Sequence, residues 1–68
     1  MLHFTLETEL EEDGRWIAEV PELPGVLAYG TTQQEAIARA EALGLRAIAE
    51  RLENGEMQTA FQIEFAVA

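Results

Sequence analysis

The side chains able to do chemistry are thirteen carboxylates, four arginines and one histidine, in a 68-residue chain with no cysteine and a net charge of −9. Without cysteine there is no thiol nucleophile, no disulfide and no thiolate-held metal. His3 has neither a second imidazole nor a serine or cysteine nucleophile pattern to work with, so no triad and no histidine metal site is spelled out. The carboxylates are the distinctive chemistry, and they are unevenly placed. Glu7, Glu9, Glu11, Glu12, Asp13, Glu19 and Glu22 against Arg15 alone give the first thirty residues −6 of the total. Such a surface repels nucleic-acid phosphates and anionic lipid heads, whereas it attracts and steers a basic protein.

Alternation places these acids on strands. Leu2, Phe4, Leu6 and Leu10 interleave with His3, Thr5, Glu7 and Glu9, the period of two of a strand with one buried face. Asp13-Gly14 signals a hairpin into a second strand, Arg15 to Val20, with Trp16, Ala18 and Val20 on one side and Ile17 and Glu19 on the other. Pro21 cannot donate to a ladder, and Pro24-Gly25 fits the centre of a type II turn, with positive φ at Gly25. A short third strand, Val26 to Tyr29, closes at Gly30.

Thr32-Gln33-Gln34-Glu35 fits a capping box in which the Thr32 hydroxyl takes the Glu35 amide and the Glu35 carboxylate takes the Thr32 amide. Ala36, Ile37, Ala40, Leu43, Gly44, Ala47, Ile48 and Leu52 recur at helical steps, predicting a helix over 33–53 that stops at Asn54-Gly55. Gly44 lies on the apolar stripe and predicts close approach to a sheet or a bulky aromatic. The tail alternates again, with Thr59, Phe61, Ile63, Phe65 and Val67 on one side and Gln58, Ala60, Gln62, Glu64 and Ala66 on the other.

The order is β-β-β-α-β, an α+β fold with a four-stranded, mainly antiparallel sheet in the order 3-2-1-4 and one helix on one face. Residues 1–68 form a single domain of a size that is marginal alone, which predicts a homodimer or larger homo-oligomer. A magnesium nuclease would need converging carboxylates, nominally Glu7, Glu41 and Glu64. Glu7 and Glu64 alternate with the helix-covered side chains and point away from Glu41, so the reading is no enzyme, no metal and no cofactor. No Gly-rich phosphate loop is present. Met1 to Leu10 lacks a basic start, and no apolar run reaches the ~20 residues that span a bilayer, which predicts a cytoplasmic protein.

Asp13-Gly14, the run from Trp16 through Pro21-Glu22-Leu23-Pro24-Gly25, then Tyr29-Gly30-Thr31-Thr32 and Glu35-Ala36 resemble the HicB-like antitoxin family. The resemblance spans most of the chain. It implies a truncated ribonuclease H-like fold and an antitoxin that covers the active surface of a small basic toxin, HicA, which cleaves messenger RNA with a histidine. Many members add a C-terminal DNA-binding domain. This sequence ends at Ala68 with no basic helix, so the expectation is the short form without that domain.

On this reading Glu11, Glu12, Asp13, Arg15, Trp16, Glu19, Glu22 and Leu23 are the partner-binding residues, around the anionic hairpin. Pro21, Pro24, Gly25, Gly30, Thr32, Glu35, Gly44 and Gly55 are structural. Trp16 and Tyr29 fit either an interface or simple packing. The alternative function is a stand-alone homo-oligomeric structural or regulatory protein with no toxin, whose acids are a solvated surface.

Overall fold

The structure, a computed structural model, describes residues 2–59 and 62–68. They form β1 (Leu2–Leu10), β2 (Trp16–Glu19), β3 (Leu27–Gly30), α1 (Gln33–Glu53) and β4 (Ile63–Val67). One sheet runs β3-β2-β1-β4. The first three strands are antiparallel neighbours, and β4 lies parallel to β1. This is the expected β-β-β-α-β topology. The last strand is shorter than the alternation suggests: Gln58, Thr59 and Gln62 lie outside it, and Ala60 and Phe61 lie outside the described residues.

The first hairpin turns through three residues. Gly14 donates to the Glu11 carbonyl at 3.0 Å and has φ +87°, while Asp13 keeps negative φ. The turn is thus a type I bend with a left-handed glycine, and not a two-residue turn centred on Asp13-Gly14. At the second corner Leu23 donates to Val20 and Val26 donates to Leu23, both at 3.0 Å, with Gly25 at φ +86°. These bonds and angles match the type II turn expected of Leu23-Pro24-Gly25-Val26. The corner also does something the sequence hides: it drives Leu23, 1% exposed, into the core.

The core lies between the sheet and α1. Phe4 and Leu6 from β1, Ala18 from β2 and Val20, Leu23 and Val26 from the corner meet Ala36, Ala40 and Ile48 of the helix. Helix residues 36, 40, 44 and 48 are one turn apart and buried, and the first three are small. That small stripe allows the helix axis close to the sheet. A Cβ on Gly44 would sit 3.3 Å from Cε1 of Phe65, so the expected bulky aromatic is Phe65 of β4. Gly30 does more than close the third strand. It ends β3 without positive φ, and a Cβ there would lie 2.5 Å from the Ala36 backbone nitrogen. Only glycine lets the first turn of α1 press on β3.

Both helix ends are capped. Thr32 Oγ1 accepts the Glu35 amide at 3.1 Å, as predicted. The Glu35 carboxylate reaches one residue further back than a capping box requires, accepting the Thr31 amide at 2.9 Å. At the other end Glu56 donates to Arg51 at 2.8 Å and Gly55, at φ +70°, donates to Leu52 at 3.3 Å. This is the paired bonding of a Schellman stop. Among the described residues no helix is long and apolar enough to cross a membrane.

Candidate functional site

Because α1 covers one side of the sheet and no other element among the described residues covers the second, alternate residues of each strand face outward together. Register fixes which ones. Glu7 stands opposite Glu19, and Glu9 opposite Ile17. Ile17 in turn faces Tyr29, and Glu19 faces Leu27. On the far side of β1, His3 lies beside Glu64 and Thr5 beside Ala66. The uncovered face is thus an apolar strip of Ile17, Leu27 and Tyr29 flanked by Glu7, Glu9 and Glu19.

Its electrostatics are unbalanced. Like charges directly opposite on neighbouring strands destabilise a sheet, yet Glu7 and Glu19 have no cation within salt-bridge distance among the described residues. The same is true of Glu9, Glu11 and Glu12. Arg15 is the one arginine beside them, and it is already engaged. Its Nε donates to Asp13 at 2.7 Å, and its guanidinium lies 4.4 Å from the Tyr29 ring centre. The Arg15 backbone amide, foremost, and then its side chain hold the Asp13 carboxyl below its ordinary value. A shallow concavity of about 70 Å³ is lined by Glu7, Thr8, Glu9, Ile17 and Glu19. An open groove of about 440 Å³ follows the hairpin along Glu9, Leu10, Glu11, Glu12, Asp13 and Arg15. Neither is an enclosed apolar pocket of the kind that holds a small substrate.

The residues singled out from sequence divide into three groups. Glu11, Glu12, Asp13, Arg15 and Glu19 are brought together around the hairpin and the uncovered face. Trp16 and Leu23 are not with them. Trp16 points to the helix side and packs half-buried against the core, and Leu23 is inside it, because their strand phase and the tight corner turn both inward. Leu23 has no surface left to offer a partner, whereas Trp16 keeps part of its own. Glu22 remains exposed but is occupied: it accepts the Thr5 amide at 3.0 Å and the Thr5 hydroxyl at 2.9 Å. These bonds, the amide foremost, lower its carboxyl below the ordinary value. Extending the β1–β2 register would put Thr5 opposite Pro21, beyond the end of β2, and there the Glu22 carboxylate is the acceptor for the Thr5 amide.

Glu7 and Glu9 of the acid excess and Tyr29, which fitted an interface or packing, share this face with Ile17 and Leu27, which carried no sequence signal of contact beyond the period-two phase of their strands. His3 Nδ1 lies 2.8 Å from Glu64, a cross-strand pair legible only once the parallel register is known. Among the described residues no group of three or more His, Asp or Glu side chains is placed to hold a metal ion.

The strand order, the single crossover helix and the one bare face define the HicB-like fold. The crystal structure of the N-terminal domain of Burkholderia pseudomallei antitoxin HicB is similar, with a TM-score of 0.67 at 21% identity, covering 84% of this chain and 66% of that one. At that identity the likeness is one of fold, and the chain spans just under two thirds of that domain's length. No family model matches the sequence, and no curated protein matches it.

Proposed function

We propose that this chain is a non-catalytic protein-binding module of the antitoxin kind, which neutralises a small basic HicA-type toxin by covering its RNA-binding surface. The observation that carries this reading is the Glu7–Glu19 apposition, with Glu9 and the hairpin acids around it and, among the described residues, no cation paired with Glu7, Glu9 or Glu19. A surface that opposes like charges across a ladder lowers its own stability, and a bound cationic surface relieves that cost. The interleaved Ile17, Leu27 and Tyr29 give such a partner apolar contact, Leu27 and Tyr29 being 40% and 38% exposed. Tyrosine in such a position is a common interface anchor. The resemblance of Trp16 through Gly25 to the antitoxin signature and the fold shared with an antitoxin domain agree with this partner class. The proposed setting is the cytoplasm, where messenger RNA is the toxin's target.

The test is co-expression with any small basic protein encoded beside this chain, followed by purification at low salt and an RNA-cleavage assay. The expected result is a complex that dissociates as salt rises and in which cleavage is suppressed. Absence of a complex at micromolar concentration and low salt overturns the reading.

A further inference from the structure

The two edges of the sheet are not equivalent. At the β3 edge, the Tyr29 backbone groups point outward, and its carbonyl accepts from Arg39 Nη1 of α1 at 3.0 Å. The guanidinium blocks strand addition there, a common protection of an edge. The β4 edge has no such guard among the described residues. Leu2 donates to the Gln62 carbonyl at 2.8 Å and Ala68 donates to the Leu6 carbonyl at 2.9 Å. Those bonds turn the even-numbered residues of this segment toward β1, so the amides and carbonyls of Ile63, Phe65 and Val67 point away from the sheet. Their side chains lie on the helix side beyond the full cover of α1, with Ile63 38% and Val67 54% exposed.

We infer that β4 is the surface through which two copies of this chain join, antiparallel about a two-fold axis at Phe65. The sequence of the strand is self-complementary in that register. Ile63 faces the partner's Val67, Phe65 faces its own copy, and Glu64 faces the partner's Ala66 and not a second glutamate. Every outward amide of Ile63, Phe65 and Val67 then meets an outward carbonyl, because only odd residues oppose odd residues. The charge pattern selects a second copy over a basic protein: β4 carries one acid, Glu64, set 2.8 Å from His3, against the cluster of acids on the bare face. It also selects this edge over the acidic face, where two chains of net charge −9 would bring Glu7 and Glu19 together. Pairing extends the sheet continuously through both copies and leaves both acidic faces free, so this proposal and the toxin-binding reading stand or fall separately.

The experiment is sedimentation equilibrium of the full chain between about 1 and 100 μM, with amide hydrogen exchange by NMR on the same samples. A dimer is expected, with slow exchange at Ile63, Phe65 and Val67 that becomes fast on dilution. Val67→Pro removes an outward amide that makes no bond to β1, and prolines are tolerated at such edge positions. It is expected to keep the monomer's circular dichroism and weaken dimerisation at least about tenfold. A chain that stays monomeric at 100 μM overturns the inference. So does a dimer in which those three amides exchange freely, or one that Val67→Pro leaves intact.

Discussion

Glu7 and Glu19 face each other across the β1–β2 ladder on the side of the sheet that α1 leaves bare, with Glu9 next in line and, among the described residues, no cation within salt-bridge distance. Two consequences separate a binding surface from a merely soluble one. Glu19→Gln removes one of the opposed charges, and the isolated domain is expected to gain up to about 0.5 kcal/mol at low salt, the scale of cross-strand pair effects. Thermal melts at low and high salt check this, the gain shrinking as salt screens the pair. The same substitution is expected to weaken capture of a basic partner, chiefly by slowing association.

Glycines 30 and 44 look alike in sequence and differ in consequence. Gly30→Ala places a Cβ 2.5 Å from the Ala36 backbone nitrogen. The helix must lift off β3, with an expected loss of at least about 2 kcal/mol. Gly44→Ala meets the edge of the half-buried Phe65 ring at 3.3 Å and Leu23 Cδ1 at an ordinary 3.7 Å. The ring can move by a few tenths of an ångström, and the helix gains about 1 kcal/mol of propensity, so the net change is expected within about 1 kcal/mol of zero. Urea titrations of the two variants distinguish these outcomes.

Gly25 has open space where a Cβ would go but φ +86°. Backbone strain alone therefore decides Gly25→Val. A β-branched residue forced into that region is expected to cost about 2 kcal/mol. An unchanged melting temperature would mean that the corner relaxes to another turn. Thr32→Ala removes the acceptor of the Glu35 amide and is expected to cost about 1 kcal/mol.

Acid sensitivity follows from carboxylates that are held below their ordinary values by hydrogen bonds. The Thr5 amide lowers Glu22 from 4.5, and the Thr31 amide lowers Glu35 from the same value. A lowered folded-state value means that the unfolded chain takes up protons first as pH falls. The stabilisation is complete above pH 4.5 and is lost progressively below it, through the folded-state values. Glu22→Ala is expected to melt at a lower temperature than the wild type at pH 7, with the difference narrowing as pH drops below 4.5.

Much of this fold is written locally. Alternation in Leu2–Leu10, the Pro24-Gly25 corner, the Thr32 cap and the Asn54-Gly55 stop each act within a few residues, and each expectation lies close to what the structure has. What escaped reading depends on pairs distant in sequence. That Glu22 reaches back to Thr5, that Gly30 meets Ala36 across the β3–α1 junction and that Arg39 covers the Tyr29 carbonyl are facts of register and packing. Leu23 illustrates the same limit: an apolar residue in a proline-rich corner reads equally as a surface anchor or as a plug, and only the corner's hydrogen bonds turn it inward. The acidic site was half legible, since composition marks its carboxylates while strand phase is needed to add Ile17 and Leu27 beside them.

The most direct test of the acidic face is an NMR titration of the labelled chain with any small basic protein encoded beside it. Salt-sensitive shift changes are expected at Glu7, Glu9, Ile17, Glu19 and Tyr29, and the outer surface of α1 should stay silent. Shifts confined to α1, or no binding at micromolar concentration in low salt, would contradict the account.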